Sequence, residues 1–377
     1  MKKQLFIYFI SLFIFSGYFF GVLYYYDPLK IWHINEKYSK YLQSNMRQQA
    51  AGIINNYEFD SIILGTSMLE NTSAKEAGEK LGSKFMNISL SGSNFYERSF
   101  VLEYALRKKE IKKIIYSLDK YCLNFDTTNN GIEKYIYDTN KFNDIKIYLN
   151  DKYLKCLLKP KNKEKCMGKI ANFDRPNEWG SDKSHSNRFR GLQNWFKAKN
   201  NDQIKNAFSI IVSKTKKIEK GEISKDNNIS EKIKFTNEYL DKYLINFVKK
   251  YPNSEFILII PPYSRAKNAI DAQYDKPIHN RIYEGIKYLT QNSAKYPNLK
   301  IYAWGDMEFP DDIANYKDLE HYAPWINSKM LEWISKDEGL LTTQNLDAYW
   351  NKFSEKSINY DVISIGKRIE KYLEENK

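Results

Sequence analysis

Ser67 follows the first buried strand of the sequence, in a position where it could act as a nucleophile. The stretch FDSIILGTSMLENTS, residues 59–73, indicates an apolar strand that ends at a Gly-Thr-Ser triplet. A strand with only a structural role does not require a glycine and two hydroxyls at its end, although turns favour the same residue types. Ser73 and Glu76 have the spacing of a capping box, so the role of helix cap falls to Ser73. Ser67 has no such role, and we predict that it is a nucleophile rather than a turn residue.

Asp318 and His321 supply the residue types that could activate this serine. A serine hydroxyl is a weak nucleophile until a base removes its proton, and the base is most often a histidine oriented by a carboxylate. Among the four histidines, only His321 combines a carboxylate three residues before it with a loop just after a predicted strand. His33 adjoins the N-terminal apolar run, His185 lies in an irregular region, and His279 begins a helix at the predicted surface. We predict that Asp318 and His321 are the acid and base, with a surface loop capped by Asp318 as the alternative.

Two further turns that follow predicted strands have positions where an oxyanion hole could form. Gly92 follows the second strand, and its lack of a Cβ allows a close approach of the backbone to a ligand. The Ser67 N–H and the Asn94 side chain are further candidate donors, with turn chemistry as the favoured alternative for Asn94. The third strand ends near Asp119, and an ionised aspartate cannot donate a hydrogen bond. For Asp119 we therefore predict a structural role, anchoring the loop that carries Ser67.

The elements that must position these residues alternate between strands and helices. Five predicted strands, separated by helices with 3.6-residue periodicity, lie in FDSIIL, KFMNISLSG, IKKIIYSLD, EFILIIPPYS and LKIYAW. This order predicts an α/β fold in which a parallel sheet has helices on both faces. The alternation of strands and helices is lost from about residue 124 to 230, where we predict a helical insertion. Because ligands collect at the carboxyl ends of parallel strands, the candidate residues are expected to meet at one sheet edge.

An uncharged apolar run, Leu5–Tyr26, precedes the predicted α/β domain. At about 1.5 Å per residue it is long enough to cross a hydrocarbon core of about 30 Å. It lacks an A-x-A-like cleavage site, so we predict a retained signal anchor, and the two lysines before it favour a cytoplasmic N-terminus. The predicted organisation is a transmembrane helix at 1–26, a juxtamembrane segment at 27–50 and an extracytoplasmic α/β domain at 51–377.

Composition limits the partners and the cofactors. The formal net charge is +13, but the lysines are spread along the chain, so no compact nucleic-acid patch is predicted. A solvated surface, or attraction to anionic lipid or glycan, fits this distribution better. Cys156 and Cys166 flank a short basic segment, and they form either a loop-closing disulfide in an exported chain or two unpaired thiols. No Cys/His spacing is typical of zinc, and we predict neither a metal nor a cofactor.

The order of these motifs resembles the SGNH hydrolase superfamily. That family has its nucleophile in a Gly-x-Ser after the first strand, an oxyanion-hole glycine after the second, and a final Asp-x-x-His. The matching residues are Ser67 in ILGTSM, Gly92 in SLSGSN, and Asp318 with His321 in DLEH. The third block of the family carries an asparagine donor, whereas this chain has Asp119 in that neighbourhood. The resemblance covers roughly residues 60–120 and 250–325, and it implies the three-layer, flavodoxin-like α/β fold of that superfamily.

An anchor followed by YDPLKIW and ILGTSM is most similar to the membrane-anchored subgroup of that superfamily, which includes alginate O-acetylation proteins and the D-alanyl transfer protein of teichoic acids. The resemblance implies a serine acyltransferase or esterase in the periplasm, anchored in the bacterial inner membrane, that acts on a cell-surface polysaccharide or glycolipid. It also implies a multi-pass membrane-bound O-acyltransferase as partner. Trp179 and Trp195 are candidate sugar platforms, with burial in the core as the favoured alternative. The competing hypothesis is a non-catalytic envelope-assembly or glycan-binding protein on a degenerate fold.

Overall fold

A five-stranded parallel sheet forms the centre of the protein. The computed structural model describes residues 2–119, 128–129, 131–158 and 166–376, so residues 124–127, 130 and 159–165 of the predicted insertion lie outside the described part. Within that part the strands are β1 (Tyr41–Leu42), β2 (Ser61–Leu64), β3 (Phe85–Asn87), β4 (Lys113–Ser117), β5 (Lys169–Ile170), β6 (Glu255–Ile260) and β7 (Leu299–Ala303). The main sheet has the order β3-β2-β4-β6-β7, with every neighbouring pair parallel. The predicted α/β class and the parallel sheet are confirmed.

The direction of winding reverses between β2 and β4. From β2 the chain crosses to β3 on one side of the sheet, and then returns to β4, β6 and β7 on the other. In doubly wound sheets, ligands bind beyond the carboxyl ends of the strands at such a switch point. Ser67 comes just after β2, so the fold positions it at this point.

Both faces of the sheet are buried because successive side chains of each strand point to opposite faces. Ile62 and Leu64 join one hydrophobic cluster and Ile63 joins the other, and β4 and β6 alternate in the same way. This pattern explains why the strands read as continuous apolar runs. Helices cover the two faces, as the sequence predicted.

The helices of the described part are Lys2–Tyr26, Met46–Asn56, Ala74–Leu81, Phe95–Lys108, Asp151–Leu158, Lys183–Ser186, Leu192–Lys197, Asp202–Glu219, Ile229–Leu240, Asn246–Lys250, Arg265–Gln273, Lys276–Ser293, Pro324–Ser335, Leu346–Ile358 and Val362–Glu375. The capping box is confirmed, since Ser73 Oγ accepts a hydrogen bond of 2.9 Å from the Glu76 N–H. Helix Arg265–Gln273 was not predicted. It begins directly after the double-proline loop, where the Ser264 hydroxyl caps it.

The N-terminal helix is long and apolar enough to cross a membrane. Lys2–Tyr26 contains an 18-residue window with a mean hydropathy of 2.1, and its side chains are largely exposed. Near its end, Leu23 is fully buried in the core cluster that covers one sheet face. The helix is consistent with a single-pass anchor, and its last turns belong to the packed domain.

Residues 27–50, predicted as the juxtamembrane segment, contact the α/β domain. The buried Asp27 carboxylate accepts hydrogen bonds from the backbone N–H groups of Ile31, Trp32 and His33 at 2.7–3.0 Å. The Asp27 carboxylate also receives the Tyr148 hydroxyl from the insertion. These bonds fix the direction in which the chain leaves the anchor.

Cys156 and Cys166 form a disulfide that joins two parts of the insertion. This settles the alternative left open by the sequence in favour of the paired form. Both cysteines are buried beside Tyr38 and Met167. The disulfide therefore lies close to the anchor side of the domain.

Candidate active site

Ser67, His321 and Asp318 form a continuous hydrogen-bonded chain at the carboxyl edge of the sheet. Ser67 Oγ lies 2.9 Å from His321 Nε2, although 254 residues separate the two in sequence. On the other side of the ring, His321 Nδ1 lies 2.9 Å and 3.0 Å from the two Asp318 carboxylate oxygens. This is the relative arrangement of nucleophile, base and orienting acid that serine acyl chemistry requires.

Asp318 is buried and is held ionised by its surroundings. Its Oδ1 accepts the backbone N–H groups of Glu320 and His321, each at 2.9 Å. Burial alone would raise the pKa of Asp318, but His321 and its hydrogen bonds, together with Lys317, hold the pKa well below its usual range. An ionised Asp318 favours the proton of neutral His321 on Nδ1, which leaves Nε2 free to accept the Ser67 proton.

The turn that carries Ser67 is held by hydrogen bonds to residues at the end of β4. The Thr66 N–H donates to Ser117 Oγ at 3.2 Å, and the Thr66 hydroxyl donates to Asp119 Oδ1 at 2.9 Å. A Cβ at Gly65 would lie 2.8 Å from Ser117 Oγ, so this close approach requires glycine. The glycine at position 65 and the bonds from Thr66 to β4 therefore hold Ser67 at the switch point of the sheet.

Asp119 has the anchoring position that its sequence context predicted. Its carboxylate accepts the Ser117 hydroxyl at 2.5 Å in addition to the Thr66 hydroxyl. The fully buried Arg98 guanidinium lies 3.7 Å from Asp119 Oδ2 and donates to the Ser117 carbonyl at 2.6 Å. Burial of this carboxylate is thus compensated by a cation and by hydroxyl donors.

Gly92 and Ser67 offer backbone N–H groups to the same cavity. Gly92 has a φ of 60°, a conformation that glycine adopts without strain, and both residues line the cavity. Within the described part of the chain, neither the Ser67 N–H nor the Gly92 N–H donates to a protein acceptor. Both N–H groups therefore stay candidate donors to an oxyanion.

Asn94 does not have the predicted side-chain role in an oxyanion hole. Its Oδ1 accepts the Glu97 N–H at 2.9 Å as the cap of helix Phe95–Lys108, and its Nδ2 donates to the Thr128 carbonyl at 3.0 Å. The amide is buried and committed to these partners. The Asn94-x-x-Glu97 spacing is itself an N-cap signal that the sequence carried.

Trp179 comes from the insertion and contacts both catalytic candidates. Its Nε1–H donates to the Ser67 carbonyl at 2.9 Å, and its ring meets the His321 ring edge-on at 5.6 Å. Asn71 Oδ1 accepts the Trp179 N–H at 3.1 Å, which fixes the backbone at this point. Trp195 is instead fully buried in the core and donates to the Tyr316 carbonyl at 3.1 Å.

His185 is a second histidine of this cavity, although its irregular sequence context did not indicate a role there. Its Nδ1 lies 2.7 Å from Lys317 Nζ and 2.6 Å from an Arg188 guanidinium nitrogen. Two cationic donors require an unprotonated Nδ1, so the imidazole is neutral and carries its proton on Nε2. Burial, Lys317 and Arg188 lower the pKa of His185 to about 4. Burial also lowers the pKa of Lys317 to about 8.

His279, expected at the surface, is buried away from this site. Its ring packs 4.6 Å from that of Trp350 and 5.9 Å from that of Phe353, and its Nε2 is bonded to Ser354 Oγ at 2.9 Å. The prediction failed because helix Leu346–Ile358, which covers it, was not identified in the sequence. His279 is part of the packing between that helix and Lys276–Ser293.

The catalytic candidates open into a cavity of about 450 Å³. Its walls combine the strand-end turns with the insertion and the loop after β7, and include Ser67, Glu70, Gly92, Trp179, His185 and His321. Within the described residues, no group of three or more His, Cys, Asp and Glu side chains has the arrangement of a metal site. The chemistry available from these side chains is proton transfer, nucleophilic attack and hydrogen bonding.

Comparisons of the chain with protein-family models, with curated proteins and with solved structures found no match. The SGNH resemblance and the activity that it implies therefore stay predictions.

Proposed function

We propose that this chain is a membrane-anchored serine acyltransferase or esterase that acts on cell-surface polysaccharide through an acyl-Ser67 intermediate. The observation that carries this proposal is the unbroken contact from Ser67 Oγ through His321 to Asp318, with distances of 2.9 Å on both sides of the ring. A non-catalytic relative on this fold would not need the serine within reach of the histidine. The feature that favours the competing binding hypothesis is Asp119 in place of the family's third-block asparagine, but the Asp119 carboxylate holds the Thr66 hydroxyl beside Ser67.

The first half of the reaction forms the acyl-enzyme. Ser67 Oγ attacks the carbonyl carbon of the donor ester while His321 Nε2 takes the hydroxyl proton. Asp318 stabilises the imidazolium that forms. The Ser67 and Gly92 N–H groups stabilise the negative charge on the former carbonyl oxygen. His321 then gives its proton to the leaving group, and the acyl group stays on Ser67.

The second half consumes the acyl-enzyme. A sugar hydroxyl or water attacks the acyl carbon and gives its proton to His321. The bond between Ser67 Oγ and the acyl carbon breaks, and His321 returns the proton to Oγ. The same residues thus support transfer and hydrolysis, and the molecule that reaches the acyl group decides the product.

The cellular setting follows from the N-terminal helix and from the resemblance to the membrane-anchored SGNH subgroup. A single spanning helix would hold the cavity near the bilayer, where a multi-pass O-acyltransferase could deliver acyl groups from across the membrane. The two lysines before the helix favour a cytoplasmic N-terminus and hence a periplasmic site.

Ester turnover by point variants tests the activity. The full-length protein in detergent is assayed with a chromogenic acetyl ester, and we expect Ser67→Ala and His321→Ala each to lower turnover at least about 10³-fold. Melting temperatures near that of the wild type would show that the fold is intact. Full activity in both folded variants would disprove the proposed mechanism.

A further inference from the structure

Glu70 is a buried carboxyl group of the candidate active site that the acyl chemistry does not use. It lies three residues after Ser67, is only 7% exposed, and lines the same cavity. Among the described residues, its carboxyl has no hydrogen-bond or ion-pair partner. The Glu70 side chain lines the cavity and its carboxyl is not committed to a partner in the described part of the chain, so the carboxyl is available to a ligand there.

The two cations that act to lower the pKa of Glu70, Lys317 and Arg47, are held by other groups. Lys317 Nζ is bonded to His185 Nδ1 at 2.7 Å and lies 3.9 Å from the centre of the Trp179 ring. Arg47 makes a two-pronged ion pair with Glu97, with both bonds at 2.9 Å. Neither cation comes within ion-pair distance of Glu70, so an ionised carboxylate would be uncompensated.

The protonated acid is therefore the favoured form of Glu70. Burial raises its pKa to about 8, against the lowering effects of Lys317 and Arg47. A neutral carboxyl donates one hydrogen bond through its O–H and accepts through its carbonyl oxygen. An alcohol hydroxyl has the same dual capacity, whereas a cationic ligand would be repelled by Lys317 and Arg47.

We propose that Glu70 is the acceptor-recognition residue of this site, and that its carboxyl exchanges hydrogen bonds with a hydroxyl adjacent to the one that attacks acyl-Ser67. The acceptor class is then a vicinal diol, as found in sugars, and this assignment rests on the acyl-Ser67 chemistry proposed above. Glu70 orients the acceptor: the attacking hydroxyl forms the new ester bond, its proton goes to His321, and Ser67 Oγ leaves. Holding the diol in this way favours transfer over hydrolysis by water.

Two small acceptors test this role in the full-length protein. A chromogenic acetyl ester is supplied as donor, with either 1,2-propanediol or 1-propanol as acceptor, and the acetylated alcohol and free acetate are measured. The ratio of the two products does not depend on how fast Ser67 is acylated. We expect the wild type to favour the diol over the mono-alcohol, and Glu70→Ala to lose about tenfold of that preference, as for one lost hydrogen bond.

The Glu70→Gln variant distinguishes a role for the neutral acid from a role for the charged carboxylate. The amide also donates and accepts, so this variant should keep most of the preference for the diol, whereas a site that needs a negative charge would lose it. Glu70→Met has a similar length and no polar hydrogen, and it replaces the alanine variant if that one does not fold. Glu79→Gln and Glu79→Ala are matched controls, because Glu79 is exposed on helix Ala74–Leu81.

The outcomes distinguish this assignment from the enzyme activity itself. Turnover that survives Ser67→Ala would refute the acyl-serine chemistry and the Glu70 role with it. Ser67-dependent turnover with an unchanged product ratio in Glu70→Ala and Glu70→Met would refute the Glu70 role alone. A wild type that shows no preference for the diol, or a Gln variant that behaves like the Ala variant, would also contradict it.

Discussion

Replacing Asp318 with asparagine should disable the proposed base without disturbing the fold. Asp318 Oδ1 accepts two backbone N–H groups, from Glu320 and His321, and an amide oxygen can keep both bonds. The amide nitrogen then occupies the Oδ2 position, 2.9 Å from His321 Nδ1. A donor at that place favours the imidazole tautomer with its proton on Nε2, which cannot accept the Ser67 proton.

The expected loss is large because the tautomer error removes the base rather than weakening one contact. The same substitution in a serine protease triad lowers kcat about 10⁴-fold, equivalent to about 5.5 kcal/mol of transition-state stabilisation. We expect a similar fall in acetyl-ester turnover for Asp318→Asn, with a melting temperature close to that of the wild type. Asp361→Asn is a matched control, since Asp361 only caps the last helix. Activity of Asp318→Asn within tenfold of the wild type would refute the role of Asp318 as orienting acid.

Three other changes probe the support of the site and its charge. Trp179→Phe removes the N–H that holds the Ser67 carbonyl, so turnover of the acetyl ester should fall about tenfold, and wild-type turnover would contradict this positioning role. Asp119→Ala leaves the buried Arg98 without its carboxylate, and the free energy of unfolding should fall by about 3 kcal/mol; a loss below about 1 kcal/mol would speak against the anchoring network. Burial raises the pKa of Glu70 from 4.5 to about 8. The free energy of unfolding of the wild type should therefore be highest below pH 4.5 with respect to this group, and should fall by on the order of 5 kcal/mol as the pH rises from 4.5 to 8. Glu70→Gln should lack this loss, and parallel pH profiles of denaturant unfolding for the two proteins would overturn the pKa assignment.

Local sequence was sufficient to predict part of the structure that holds Ser67. The apolar run of β2 and the Ser73 cap are visible in the local sequence, so spacing predicted them correctly, whereas the Gly65 turn also depends on the distant Ser117 side chain. The parallel sheet was predictable for a related reason, because alternation of strands and helices leaves few topologies. Helix Arg265–Gln273 was missed since two prolines directly before it were interpreted as the start of a loop.

The walls of the cavity could not be predicted from the sequence. Trp179 and His185 reach the site through a fold of the insertion that depends on contacts more than 100 residues apart, such as the bond from Trp179 to Ser67. No periodicity or spacing signals such contacts. Asn94 was a different kind of error, because its helix-capping spacing was visible and competed with the oxyanion role that a strand-end position suggested.

Covalent labelling of Ser67 tests the central claim most directly. A fluorophosphonate phosphonylates a serine whose hydroxyl is activated by a base, and peptide mass spectrometry identifies the modified residue. We predict one adduct, on Ser67, that is lost in Ser67→Ala and strongly slowed in Asp318→Asn and His321→Ala. A folded wild-type protein that gives no adduct, gives one on another serine, or is labelled equally fast without His321 would contradict the account.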